Sequence, residues 1–218
     1  MKITNVKVTV KTRNDVCQTP VEGLGIEEVI NRIQKLNAQL AKFWSACDGW
    51  APIEASGLLG QSRLDWQVSL SGTLSLWIRD PADTLTPAEL ILAWANLGSL
   101  IEGAIKLFLS VYYETYKADI ENLKKANAFN KKKQAPLSPD GLGLEKLRSY
   151  CALRNLLNKG DLALAELVQQ RRNAIHAFQD RPIGNGSEFQ QSVRGYLQML
   201  RNIIARLPYP DDNYVPTE

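Results

Sequence analysis

Apolar residues recur every three or four positions through most of this chain, which is the period of an amphipathic helix. From about Ile26 to Cys47, the residues Ile26, Val29, Ile30, Ile33, Leu36, Leu40, Phe43 and Trp44 form one stripe, and Asp48-Gly49 ends it. A different rhythm opens the chain: Val6, Val8 and Val10 alternate with polar residues, which predicts a short edge strand or extended arm over residues 1–12. Asn14 to Gly25 has loop composition. The stretch 64–78 satisfies two periods. Trp66, Val68 and Leu70, then Leu74, Leu76 and Ile78, read as a hairpin around Ser71-Gly72, whereas Leu59, Trp66, Leu70, Leu74 and Trp77 read as a helix. Ser71-Gly72 lacks the Asn-Gly or Asp-Gly signal of good hairpin turns, so a helix is expected.

Asp80-Pro81 breaks the pattern, and Thr86-Pro87-Ala88-Glu89 carries a capping box with proline at the first helical position. An almost wholly apolar helix is predicted from Pro87 to about Lys117, or as far as Asn122. Lys124, Lys125, Lys131, Lys132 and Lys133, followed by Pro136, Pro139 and Gly141, read as a solvated loop. Leu144 to Leu157 forms a helix, Asn158 to Asp161 turns the chain, and Asp161 is the expected cap of the next helix. Ser187 caps a last helix from Glu188 to Leu207, with Phe189, Val193, Leu197, Leu200 and Ile204 inward. Trp44, Trp66, Trp77 and Trp94 sit on apolar stripes and are expected in the core. The fold class is therefore all-α, an antiparallel bundle of about five to six helices with a short N-terminal extended arm. Residues 1–24 make the arm and loop, 25–210 the helical domain and 211–218 a C-terminal tail.

Composition changes this picture little. An apolar fraction of 44%, a charged fraction of 22% and a formal charge of +3 describe an ordinary globular chain that permits an anionic partner. Cys17, Cys47 and Cys151 have no metal-ligand spacing, and the N-terminus has no apolar leader, which points to reduced thiols in a cytoplasmic protein. Leu90 to Tyr113 resembles a membrane span but carries Asn96, Glu102 and Lys106. Each charge at mid-bilayer costs about 3 kcal/mol. A buried helix with Glu102 and Lys106 paired at i,i+4 fits better, and no membrane partner is expected.

The candidate chemistry lies in Glu166-Leu-Val-Gln-Gln-Arg-Arg-Asn-Ala-Ile-His176-Ala-Phe178, which holds the chain's single histidine. Histidine moves protons near neutrality and arginine binds phosphate oxygens, so Arg171, Arg172, Asn173 and His176 are the candidate catalytic residues for phosphodiester chemistry. On an ideal helix Arg171 and His176 diverge by about 140°, whereas Arg172 and His176 share a face. Converging Arg171 and His176 therefore needs long side chains, a distorted turn or a second subunit. Leu164, Leu167, Val168, Ala174, Ile175 and Phe178 remain for the core. Glu102 and Asn96, on the central helix, are candidate substrate-binding residues, as are Lys131, Lys132 and Lys133 through charge. Phosphate-cradling glycine motifs, a nucleophile elbow and metal-ligating clusters are absent from the sequence.

With Arg171 and His176 separated by four residues late in an all-helical chain, the sequence resembles the HEPN superfamily, many of whose members are metal-independent endoribonucleases. The resemblance covers roughly residues 26–207, and its specific part is the short motif. It implies a symmetric homodimer with a composite site, RNA as substrate, His176 as general acid or base, and Arg171 or Arg172 facing the developing charge. The products would be a 2′,3′-cyclic phosphate and a 5′-hydroxyl, with no cofactor or metal. Members usually have a polar residue directly after the arginine; here Arg172 takes that place and Asn173 follows. Phe178 stands where one subgroup has a tyrosine that its antitoxin modifies, so that control is not implied. A toxin or antiphage effector, with a cognate antitoxin or defence partner, is the implied role. The alternatives are a catalytically silent HEPN-like module binding RNA, nucleotide or protein, and a purely structural adaptor.

Overall fold

The computed structural model of the chain describes residues 19–176 and 178–218. The expected arm over 1–12, Cys17 and the first part of the Asn14–Gly25 loop, through residue 18, lie outside the described residues. The described chain is all-α in its architecture: α1 (Ile26–Trp44), α2 (Ile53–Gln61), α3 (Leu64–Gly72), α4 (Pro87–Val111), α5 (Tyr113–Ala118) and α6 (Ile120–Lys125) precede a small hairpin, and α7 (Leu144–Leu153), α8 (Lys159–Arg172) and α9 (Gly186–Ile204) follow it.

The apolar stripe of α1 is buried as its spacing requires, at Val29, Ile30, Ile33, Leu36, Leu40 and Trp44, and packs on α3 and α9. Between residues 64 and 78 the chain is helical, as α3 followed by a 3₁₀ turn Thr73–Trp77. Trp66 departs from its expected core place. It is 58% exposed with the Arg63 guanidinium 4.1 Å from its ring, because α3 turns Gln67 inward to bond the Leu100 carbonyl instead.

Around α4 the other helices assemble: α2, α3, α7, α8 and α9 all pack on it. Its start is the expected capping box, with Thr86 N donating to Glu89 Oε2 at 2.8 Å and Glu89 N to Thr86 Oγ1 at 3.3 Å. Among the described residues α4 is the one helix long and apolar enough to cross a membrane, yet 61% of its most apolar window is buried within the protein. The helix is shorter than expected. The backbone leaves helical geometry at Tyr112 and again at Asp119, where Arg154, Asn122 and Tyr150 converge on one carboxylate. Those breaks bring Tyr116 and Leu123 inside.

The lysine-rich segment is an ordered hairpin rather than a plain loop. Strand β1 (Phe129–Asn130) pairs antiparallel with β2 (Ala135–Pro136), Phe129 opposite Pro136. At its tip Asn130 Oδ1 accepts the amides of Lys132 and Lys133 at 3.0 Å, and Gln134 takes a positive φ of 48°.

Two helix starts also differ from expectation. Asn158, not Asp161, caps α8, its Oδ1 accepting Asp161 N at 2.8 Å. Asp161 sits buried inside the first turn, receives Asn202, and its carboxyl is pushed up by burial. Asn185, not Ser187, caps α9, because the Ser187 amide is already taken by Asp83. The tail 211–218 is strapped down: Gln39 bonds Thr217 in both directions, and Glu218 pairs with Arg201 and Arg32.

Candidate functional site

Helix α8 runs against α4 and ends at Arg172, after which Asn173–Ile175 tighten into a 3₁₀ turn and His176 leaves it with ψ 86°. The tightened turn matters because the 3₁₀ geometry replaces the last α-turn and re-aims the residues beyond it. Between that turn and α4 lies an open cleft of about 270 Å³. Ala95, Ser99 and Glu102 of α4 form one wall, and Arg172, Asn173, Ile175 and His176 the other.

Arg172 enters the cleft through close helix packing. A Cβ on Gly98 would stand 2.6 Å from Arg172 Cδ, so only glycine lets the arginine stem cross α4 there. The guanidinium Nη1 then donates to Glu102 Oε2 at 3.0 Å. Glu102 also accepts Lys106 Nζ at 2.9 Å on Oε1 and the Leu144 amide at 3.2 Å on Oε2. Both oxygens of Glu102 are thus committed to protein donors. Glu102 therefore reaches the candidate site through Arg172, which it holds from the central helix, and it also forms the expected i,i+4 pair with Lys106. Among the described residues Glu102 is the only polar partner of Arg172, which leaves its remaining N–H donors to face the cleft. Two cations meet this one carboxylate, so the cluster carries a net positive charge. The imidazole of His176 is exposed and makes no side-chain hydrogen bond among the described residues.

Arg171 points elsewhere. Its Nε and Nη2 grip Glu188 at 3.0 and 2.9 Å, and Nη1 donates to the Pro182 carbonyl at 2.9 Å. The side chain is only 15% exposed and lines no part of the cleft. Of the two adjacent arginines, geometry therefore puts Arg172 beside His176, although the spacing that resembles the family pattern belongs to Arg171.

Asn96 does not line the cleft either. Its amide oxygen accepts Thr73 Oγ1 at 2.7 Å and Trp77 Nε1 at 3.1 Å, and its nitrogen donates to Leu70 O, tying the 3₁₀ turn after α3 to α4. One residue along a helix turns the side chain by about 100°, enough to take Asn96 away from the face that Ala95 shares with the cleft. Lys131, Lys132 and Lys133 sit on the hairpin and do not line the cleft; they form no ion pair among the described residues.

The exposure of neighbouring apolar residues differs from expectation as well. Ile175 and Phe178, assigned to the core by spacing, are 52% and 105% exposed, because the helix that was to bury them ends at Arg172. Leu92, one turn before Ala95 on α4, is 50% exposed. Sequence reasoning missed Gly98, Gly184 and Glu188. The small-residue notch Ala95-x-x-Gly98-Ser99 in an otherwise bulky helix is the signal that marks where another element approaches closely. Among the described residues no group of three or more metal-ligating side chains is assembled.

Comparison of the chain with models of known families, with curated proteins and with solved structures finds no match.

Proposed function

We propose that this chain is a metal-independent endoribonuclease of HEPN type, working in the cytoplasm as a toxin or antiphage-defence effector. The observation that carries the reading is that an exposed histidine and an arginine line the same wall of one solvent-open cleft, with Asn173 between them in the chain. In this mechanism the RNA 2′-hydroxyl attacks the adjacent phosphorus while His176 takes its proton. Arg172, pre-aimed by Glu102, neutralises the charge building on the phosphorane oxygens. Asn173 orients the phosphate. The 5′-oxygen leaves with a proton from a second imidazole or from water, which yields a 2′,3′-cyclic phosphate and a 5′-hydroxyl. The second imidazole comes from a twin subunit. Ile175 lines the cleft with its apolar side chain exposed, and Leu92 and Phe178, close in the chain to Ala95 and His176, are exposed too, which suits a symmetric partner meeting this face.

The test is incubation of the purified chain with single-stranded RNA in EDTA. Cyclic-phosphate ends that disappear with His176→Ala support the reading; absence of cleavage, or equal cleavage by the variant, ends it. The second reading is a silent RNA- or nucleotide-binding module, and the Arg172–Glu102 pair favours it because a paired arginine has part of its charge already met. It predicts binding without cleavage.

Two further outcomes follow from the site. Gly98→Ala is favoured by helix propensity by about 1 kcal/mol. Yet its methyl displaces Arg172 from the cleft. The expected result is an unchanged or raised melting temperature with RNA cleavage as slow as in Arg172→Ala; a variant that cleaves at the wild-type rate removes Arg172 from the site. For the hairpin, each lysine-to-phosphate contact on single-stranded RNA contributes about 0.7 to the slope of log affinity against log salt. Replacing Lys131, Lys132 and Lys133 together by alanine is therefore expected to flatten that slope by about 2, read by fluorescence anisotropy between 50 and 200 mM salt. An unaltered slope shows that these lysines do not touch the RNA.

A further inference from the structure

We infer that Arg171 is a positioning residue that staples the loop after His176 to the first turn of α9 and so sets where the imidazole stands. Three contacts support this. Arg171 forks onto both carboxylate oxygens of Glu188, which lies in the first turn of α9, and its third nitrogen holds the Pro182 carbonyl in the loop. A planar guanidinium meeting a carboxylate with two parallel bonds fixes direction as well as distance. The loop is seated from the other side too, since Trp94 Nε1 donates to the Ile183 carbonyl at 2.7 Å.

Gly184 completes the clasp. Its φ of 69° is a conformation that side-chain-bearing residues rarely adopt. A Cβ there would stand 1.8 Å from Glu188 Oε2 and 3.1 Å from Arg171 Nε. Glycine is thus demanded by backbone and by space at the point where the pair closes. His176 leads into this loop with an exposed ring that has no side-chain partner of its own among the described residues, so its placement depends on how the backbone on either side is held. On one side that is the 3₁₀ turn beginning at Asn173; on the other it is the clasp. Adjacent arginines therefore divide the work: Arg172 faces the cleft and Arg171 aims the histidine.

The consequence for cleavage rests on the nuclease reading, but the clasp itself does not. The chain has one histidine, so a single imidazole signal in a carbon–proton correlation spectrum reports on His176 alone. Glu188→Gln preserves shape while weakening the fork, and Arg171→Ala removes it. Each is expected to broaden or split the His176 signal and to slow RNA cleavage by about 10²-fold, the order that a displacement of roughly 1 Å costs. The double variant is expected to be no worse than either single one, since both break the same contact. Arg171→Lys does not restore the signal, because an ammonium lacks the fork. Arg172→Ala leaves the signal sharp while slowing cleavage by about 10²- to 10³-fold.

A sharp, unmoved His176 signal in Glu188→Gln overturns the inference, whether the variant loses stability or not. So does Arg171→Ala that keeps the signal but loses RNA affinity, which would make Arg171 a substrate contact. If Arg171→Ala does not fold, Glu188→Gln decides alone. Should the wild-type protein cleave no RNA, the nuclease reading fails while the histidine signal still tests the clasp.

Discussion

Replacing His176 by alanine is expected to slow RNA cleavage by about 10²- to 10⁴-fold, the usual contribution of a positioned general acid or base. The melting temperature should hardly move. The ring is exposed and bonds nothing through its side chain among the described residues, and substitutions at such positions stay within about 0.5 kcal/mol. That combination separates chemistry from folding, because a loss of activity cannot then be blamed on a damaged fold. Arg172→Ala is expected to lose about 10²- to 10³-fold, the scale of removing one donor aimed at developing negative charge. It also leaves Glu102 with Lys106 and the Leu144 amide, so the carboxylate is not stranded. Gel-resolved cleavage of a labelled RNA, alongside thermal melts of the same samples, measures both quantities. Wild-type rates in His176→Ala would leave only a binding module.

The largest expected effect on stability lies at the far end of the chain. The Arg201 side chain is 4% exposed, and its guanidinium is met by Glu218 through Nε and, at 2.7 Å, Nη2. Arg32 adds a third donor to the same carboxylate at 2.5 Å. Glu218→Gln leaves a buried arginine without its counter-charge, which costs about 3–5 kcal/mol. Replacing Arg201 and Glu218 together by methionine is expected to be close to neutral, because desolvation then disappears along with the attraction. Urea denaturation of the three proteins reads these differences. Burial pushes the Glu218 carboxyl up, but Arg201 and Arg32 outweigh burial and hold it below the usual carboxylate range. A carboxylate with a depressed folded value contributes stability that is full above its unfolded value and is lost as pH falls through the folded one. The gap between wild type and Glu218→Gln should therefore be widest at neutral pH and close in acid. A gap below about 1 kcal/mol at neutral pH would show that solvent, not Glu218, compensates Arg201.

Much of the helix inventory was legible in local pattern. The stripe of α1, the Thr86 capping box that starts α4 and the inward set of α9 are short-range features, and each appears where the residues require it. Misreadings cluster where a distant residue intervenes. Asp83 takes the Ser187 amide and so moves the cap of α9, and Gln67 rather than Trp66 turns inward on α3. The hairpin at 129–136 was hidden because its strands are two residues each, too short for alternation to register.

The candidate site divides the same way. Residue identity alone determined that two guanidinium groups and the chain's one imidazole sit together at the end of α8, since one histidine and two arginines are neighbours in the chain. Only the tertiary structure decided which arginine enters the cleft. Gly98 and Glu102 from α4 draw Arg172 one way, and Glu188 from α9 draws Arg171 the other. Adjacent side chains on a helix diverge by about 100°, so their roles are assigned by the partners that packing brings to each face. Those partners are far away in sequence and invisible to any local pattern.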